Sequence, residues 1–216
     1  MLKPVLETIN RVNAAHPWSH NDHYHRWVLR RLPRHVPRVL DVGCGTGNLV
    51  RAMARRAGVA AGIDPDLDII ALGREHSPDH PNATFDVLDL LDVPGQSEYD
   101  VVTAIAVVHH LPLDAALRRM RSLLAPGGTI VIVGCYRAAT RSDHLLDVIA
   151  IPANLILGLL KSARAVEASV AMTAPTATPQ STLAEVRAVA ADVLPGARIR
   201  RRLFWRYSLV YRAPKR

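Results

Sequence analysis

Val39-Leu-Asp-Val-Gly-Cys-Gly-Thr-Gly-Asn48 reads as a buried strand that runs straight into a glycine-dense turn. Val39, Leu40 and Val42 suit a parallel strand covered on both faces, and Asp41 interrupts them where such a strand would end. Glycines at 43, 45 and 47 follow, and Leu49 to Ala57 supply a helix. A strand, a glycine turn and a helix N-terminus in that order make a loop that lets the backbone approach a nucleotide-like ligand closely. Spacing narrows the ligand. A dinucleotide fingerprint counted from Gly43 and Gly45 would place its third glycine at position 48, which is Asn48. The chain also contains no G-x-x-x-x-G-K-[ST] phosphate loop.

The string VLDVGCGTGNL resembles motif I of the class I S-adenosylmethionine-dependent methyltransferases. The resemblance implies that Asp41, Gly43, Cys44, Gly45, Gly47 and Asn48 wrap the methionine part and sulfonium of that cofactor. Three further segments fall where the family would place them. Ala60-Ala-Gly-Ile-Asp-Pro65 is a short strand ending in Asp64, and an acid roughly 20 residues beyond the glycine turn can accept the ribose hydroxyls. Asp64 and Pro65 are therefore cofactor candidates, and Asp64-Pro65-Asp66 also reads as a turn with a helix cap. Thr84-Phe-Asp-Val-Leu-Asp-Leu90 resembles the third strand and its adenine turn, which implies that Asp89 takes the exocyclic amine with Leu90 at its backbone. Asp86 is the competing carboxylate, read as a solvated acid. Tyr99 to Leu111 resembles motif IV, with Ala104 and Ile105 beside the cofactor at the strand's end.

The family's next helix and fifth strand match Asp114 to Leu124, the Ala-Pro-Gly-Gly128 turn and Thr129 to Val133. Thr182-Leu-Ala-Glu185 carries the spacing of a capping box for a helix that ends near Leu194-Pro-Gly196. Arg198 to Trp205 and Tyr207 to Arg212 then alternate as two strands, matching the antiparallel pair that closes this family's sheet. The expected fold is α/β, a Rossmann-like seven-stranded sheet with an antiparallel last strand and helices on both faces. One domain is expected over residues 1–216, divided into an N-terminal helical arm (1–37), a cofactor-binding core (38–134), a lid insertion and loop (135–180), and a last helix with the strand pair (181–216).

Composition agrees. With 216 residues and 49% hydrophobic content the chain can bury one sizeable core. Cys44 and Cys135 are too few for a disulfide framework and read as reduced thiols, and no apolar leader opens the chain, so a cytoplasmic protein is expected. The formal charge of +8 raises nucleic acid as a partner. Most arginines are scattered, however, and only Arg198, Arg200, Arg201 and Arg202 cluster. On a strand Arg198, Arg200 and Arg202 share one face, able to bind phosphates or simply to be solvated. With 5% aromatic residues and no stacking platform or appended RNA module, a nucleic-acid substrate is disfavoured.

The acceptor must be chosen by the segments outside the cofactor core. Pro17 to Trp27 packs histidines, a tyrosine and two tryptophans ahead of the first strand and resembles the arm that closes the pocket in many small-molecule methyltransferases. His20 and Tyr24 would share a helix face and close over the cofactor. A metal site is not expected, because His20, His23 and His25 lack H-E-x-x-H spacing and a paired cysteine motif. His109, beside His110 after the fourth strand, is the substrate-contact candidate, since open α/β sheets bind ligands at that edge. His20, Tyr24 and His109 are thus the catalytic candidates, histidine having a pKa suited to a general base. Leu145 to Leu160 is apolar but interrupted by Pro152 and too short to span a membrane. It reads as a lid over an apolar or aromatic substrate, with a homodimer face or a membrane contact as alternatives.

The expected activity is methyl transfer from S-adenosylmethionine to an O, N or C nucleophile of a small metabolite, in specialised metabolism or on a quinone-like lipid, leaving S-adenosylhomocysteine. The alternatives are a cofactor-binding protein that catalyses a cyclisation or rearrangement, and an RNA or protein methyltransferase.

Overall fold

The computed structural model describes residues 20–96, 98–140, 178–202 and 206–215, with the side chains of residues 20–23 excepted. Helix α1 (His20–Leu29) leads into β1 (Val36–Val42), α2 (Asn48–Ala54), β2 (Ala57–Asp64), α3 (Leu67–Glu75) and β3 (Ala83–Val87). Then come β4 (Tyr99–Ile105), α4 (Leu113–Leu123), β5 (Leu124–Cys135), α5 (Leu183–Val193), β6 (Arg198–Arg202) and β7 (Arg206–Arg212). The strands form one seven-stranded sheet in the order β3-β2-β1-β4-β5-β7-β6. β3, β2, β1, β4 and β5 run parallel, and β7 lies antiparallel between β5 and β6. This is the expected sheet.

The apolar runs of the central strands follow from burial on both faces. Val39, Val101, Ile105, Val131 and Val133 point to one core with Tyr24, Val28, Leu49, Val50, Met53 and Ile70 of α1, α2 and α3. The alternate residues Leu40, Val42, Val102, Ala104, Ile130 and Ile132 meet Leu117, Met120, Val186 and Val193 of α4 and α5 on the other. Period-two alternation therefore sorts a continuous hydrophobic sequence into two cores.

Some boundaries differ from the expected ones. α2 stops at Ala54 rather than Ala57, because Ala57 is already paired in β2 opposite Val36. β1 accordingly starts at Val36, three residues before the apolar run. β5 extends from Leu124 through the glycine pair, with a register irregularity between Tyr99 and Val101 on its β4 partner. The capping box forms as expected: Thr182 Oγ1 accepts from Glu185 N–H at 3.3 Å while Glu185 Oε2 accepts from Thr182 N–H at 2.7 Å. β6 ends at Arg202, which pairs with Arg206, and Trp205 lies outside the described residues. The Leu145–Leu160 lid expectation also falls outside them.

Candidate functional site

At β1 the sheet order reverses. The chain moves from β1 to β2 on one side and reaches β4 on the other, which leaves a crevice above the carboxyl ends of these strands. The glycine loop occupies that crevice. Gly43, Gly45 and Gly47 have φ values of 63°, 53° and 80°, all in the left-handed region. A Cβ on Gly43 would overlap the methyl groups of Val107, and one on Gly47 would overlap the ring of Phe85. The loop is thus shaped by absent side chains as well as by torsion angles.

Three sets of hydrogen bonds hold it. Cys44 N–H donates to Ile63 O at 2.9 Å, which ties the loop to β2. The Arg51 guanidinium of α2 donates to Thr46 O at 2.7 Å, to Asn48 Oδ1 at 2.5 Å and to Ser77 Oγ at 3.2 Å. Asp64, at the end of β2, accepts Gly45 N–H on Oδ2 at 3.1 Å and Asp66 N–H on Oδ1 at 3.1 Å. Each carboxylate oxygen has two lone pairs, so both keep acceptor capacity for a ligand after these bonds.

Asp41 sits below the loop and is buried. Its Oδ1 accepts the Thr103 hydroxyl at 2.6 Å across the β1–β4 pair. Burial pushes its pKa up to about 7, the Thr103 bond works against that, and the nearby Asp64 charge adds to it. Burial likewise raises the Cys44 thiol well above its ordinary value, so Cys44 is a neutral packing group in the loop.

The other candidates surround this centre. Asp89 begins a short 3-10 turn (Leu90–Asp92) after β3, its Oδ1 accepting Leu91 N–H at 2.8 Å, and Leu90 is buried beneath it. Asp86 is exposed on β3. Leu67, Val87 and Leu91 are exposed, Leu67 to 63%, and lie in the chain at or just after the ends of β2 and β3, as Pro65 and Asp89 do. Ala104 and Ile105 are buried at the end of β4, followed by Ala106 with φ 57° and its N–H on Val133 O at 2.8 Å. A non-glycine residue in that conformation is strained, and such strain gathers at ligand sites. His109 is half-buried in the next 3-10 turn (Val108–His110), its ring 4.1 Å from the exposed His110 ring.

Tyr24, on α1, faces the interior of the protein. It is 5% exposed and belongs to the core that contains Ile105 and Val133. Burial raises its pKa, and the charges of Arg206 and Arg202 act against that rise, so its hydroxyl stays protonated at neutral pH. The His20 side chain lies outside the described ones. The structure thus brings Asp41, the glycine loop, Asn48, Asp64, Pro65, Asp89, Leu90, Ala104 and Ile105 to one edge of the sheet, with His109 close by in the chain. Sequence reasoning missed Thr103, Ala106, Val107 and Arg51. Thr103 was visible as the polar residue inside an apolar run, whereas Ala106 carries no sequence mark of its torsion. Among the described residues no group of three His, Cys, Asp or Glu side chains is arranged for a metal, and no helix is long and apolar enough to cross a membrane.

A parallel sheet with an inserted antiparallel strand and a glycine loop answered by a carboxylate on the next strand defines a known class. The chain belongs to the class I S-adenosylmethionine-dependent methyltransferases. Residues 39–128 match the family described as a methyltransferase domain. An uncharacterised methyltransferase of Mycobacterium tuberculosis (strain ATCC 25618 / H37Rv) is 31% identical over 202 residues, which is 92% of this chain and 98% of that protein. The ubiquinone biosynthesis O-methyltransferase of Pseudomonas aeruginosa (strain LESB58) is 33% identical over 113 residues, covering 49% of this chain and 47% of the relative. Among solved structures, magnesium protoporphyrin IX methyltransferase from Synechocystis PCC 6803 with bound cofactor superposes with a TM-score of 0.56 at 18% identity, over 89% of this chain and 77% of that one.

Proposed function

We propose that this enzyme uses S-adenosylmethionine to methylate an O, N or C nucleophile of a small apolar or aromatic metabolite. The observation that carries the reading is the Asp64 carboxylate, fixed by Gly45 N–H at the switch point of the sheet and still able to accept two hydroxyls. The residues fit the cofactor. Gly43 to Gly47 form a tight loop with no room for Cβ atoms at Gly43 and Gly47, Asp64 suits a ribose, and Asp89 with the exposed apolar Leu67, Val87 and Leu91 suits an adenine. Asp41 below the loop favours a positive group above it. When bound, the cofactor supplies an electrophilic methyl on a sulfonium.

The protein's part is to position the acceptor in line and exclude water, the terms that dominate such displacements. Ala104, Ile105 and the strained Ala106 form the wall at the end of β4 against which the acceptor is held. The protonated Tyr24 serves as a hydrogen-bond donor at that wall, and His109 contacts the acceptor and takes its proton where the nucleophile is a hydroxyl or protonated amine. An apolar or quinone-like acceptor agrees with the likeness to a ubiquinone-pathway O-methyltransferase over half the chain. Calorimetry with S-adenosylhomocysteine tests the cofactor reading: micromolar binding by the wild type, weakened in Asp64→Ala, is expected, and no binding by the wild type overturns it. Mass spectrometry of metabolite mixtures, scored for gain of one methyl group with enzyme and cofactor present, then identifies the acceptor.

A further inference from the structure

The outer hairpin carries a concentration of positive charge that the cofactor does not use. Arg202 and Arg206 are directly opposite each other in the β6–β7 pair, and Arg206 is opposite Cys135, the final residue of β5. Like charges directly opposite on one face of a sheet repel. Both side chains are half-buried, where repulsion is screened less than in water. Their partners among the described residues are neutral. Arg206 Nη1 donates to Cys135 Sγ at 3.1 Å, and burial raises the thiol pKa, so it does not neutralise the guanidinium. Arg206 Nε is buried with no hydrogen-bond partner among the described residues. Arg202 Nε donates to Ser208 Oγ at 2.9 Å, and its guanidinium lies 5.0 Å from the centre of the Trp27 ring, over which Arg31 also sits at 3.7 Å. The ion pairs among the described residues, Arg38 with Glu98 and Arg118 with Asp114 and Asp192, involve none of these side chains.

Position gives the charge a purpose. β7 runs antiparallel to β5, so its first residue, Arg206, stands at the same edge as the carboxyl ends of β1, β2 and β4. Ile105 pairs with Val133 on β5, and Cys135, two residues further on, with Arg206 on β7, so Arg206 is two strand spacings across and two residues beyond the end of β4, roughly 12 Å away. Tyr24 connects the two places, feeling the charges of Arg206 and Arg202 while packed in one core with Ile105.

We infer that Arg202 and Arg206 form an anion subsite for the acceptor, which therefore carries a carboxylate or a phosphate some distance from its methylated atom. The inference rests on the methyltransferase reading for the position of the reacting centre. A compact acid is favoured over a nucleic acid because the paired arginines are half-buried at the ligand edge, whereas the exposed Arg198 and Arg200 lie back along β6. An arginine fork aimed at an anion is also the arrangement that binds carboxylate and phosphate most specifically.

The test uses the full chain saturated with S-adenosylhomocysteine, titrated by calorimetry with benzoate, phenyl phosphate and benzamide. Benzoate or phenyl phosphate is expected to bind at least about tenfold more tightly than the neutral amide, and the stronger of the two acids identifies the anion. Arg206→Gln is expected to abolish that preference, Arg206→Lys to restore part of it, and Arg198→Gln to leave it unchanged, with S-adenosylhomocysteine affinity intact in all three. The inference is overturned if the acids bind no better than benzamide, or if Arg198→Gln and Arg206→Gln weaken them equally, which would mark a general charged face. It is also overturned if a dodecathymidylate strand binds and Arg198→Gln weakens that binding as much as Arg206→Gln, which would mark a nucleic-acid surface. Failure of S-adenosylhomocysteine itself to bind is a separate result and strikes the cofactor reading instead.

Discussion

The methyl groups of Val107 occupy the place that a Cβ on Gly43 would need, so the loop after β1 and the turn after β4 fit each other through a missing side chain. The backbone between them is held under strain at Ala106, whose φ is 57°. The glycine loop and the end of β4, proposed to hold the cofactor and the acceptor, are therefore one mechanical unit, and disturbing either is expected to disturb both.

Gly43→Ala tests that unit. It introduces the overlap with Val107 and places an alanine at φ 63°, for which a loss of about 1–3 kcal/mol in stability is expected. Affinity for S-adenosylhomocysteine should drop at least about tenfold, since the loop must shift away from its cradle shape. Adding Val107→Ala removes the overlap but not the unfavourable torsion, so the double variant should recover only part of the loss. Urea unfolding and calorimetry on the pair read both effects, and a Gly43→Ala protein equal to wild type in both would contradict the fit.

Asp64 holds the loop and is proposed to hold the ligand, and two substitutions weigh these roles against each other. Asp64→Ala leaves Gly45 N–H and Asp66 N–H without their acceptor and removes the proposed ribose contact. Hydrogen bonds to charged groups contribute roughly 1.5–3 kcal/mol each, so affinity should fall by about a hundredfold. Asp64→Asn keeps one carbonyl acceptor but turns an amide donor toward the other N–H, so it should lose less stability than Asp64→Ala while still binding more weakly than wild type. An unchanged dissociation constant in Asp64→Ala would remove the ribose assignment.

Asp41 gives the site a pH signature. Its folded pKa is raised from 3.8 to about 7, so the folded state holds a proton that the unfolded chain has released between those values. Its contribution to stability is thus complete below pH 3.8 and is lost as pH rises through about 7. Three pKa units correspond to an effect on the order of a few kcal/mol. Asp41→Asn is expected to flatten this part of the unfolding profile. A cation bound above Asp41 favours its ionised form, so S-adenosylmethionine binding near neutral pH should release a proton that Asp41→Asn does not. Calorimetry in buffers of different ionisation enthalpy measures that proton, and equal release by both proteins would dissociate Asp41 from the cofactor.

Tyr24 can be tested as packing and as a hydroxyl separately. Tyr24→Ala empties a buried aromatic position and should cost roughly 3–5 kcal/mol, whereas Tyr24→Phe keeps the ring. If the hydroxyl donates at the acceptor wall, Tyr24→Phe should be nearly as stable as wild type yet slower in methyl transfer, with kcat reduced more than KM rises. Wild-type kinetics for Tyr24→Phe would leave Tyr24 a core residue alone.

The glycine loop of the proposed cofactor half was legible because backbone geometry there demands particular residue types. Glycines at 43, 45 and 47 answer to positive φ values and close contacts, and Asp64 stands where β2 ends beside them. The acceptor half was less legible. Tyr24 and His20 could be placed on one helix face by spacing, yet nothing in that spacing says whether the face meets a core or a cleft, and Tyr24 proved to be buried. The arginines of β6 were visible as an alternating face, but their pairing with Arg206 depends on register between strands. Helix ends misled where an alanine suited both states: Ala57 reads as helix and is strand, because Val36 pairs with it.

The insertion of β7 between β5 and β6 also governs how the chain is completed during synthesis. β6 precedes β7 in the chain but touches β5 only through it. Until residues 206–212 have left the ribosome, β5 keeps an open edge and β6 has no neighbour to pair with. The strands that frame the cofactor loop can assemble well before that moment. The nascent enzyme therefore gains the glycine-loop crevice early and its arginine rim late, and a chain cut short within β7 would expose two sheet edges at once.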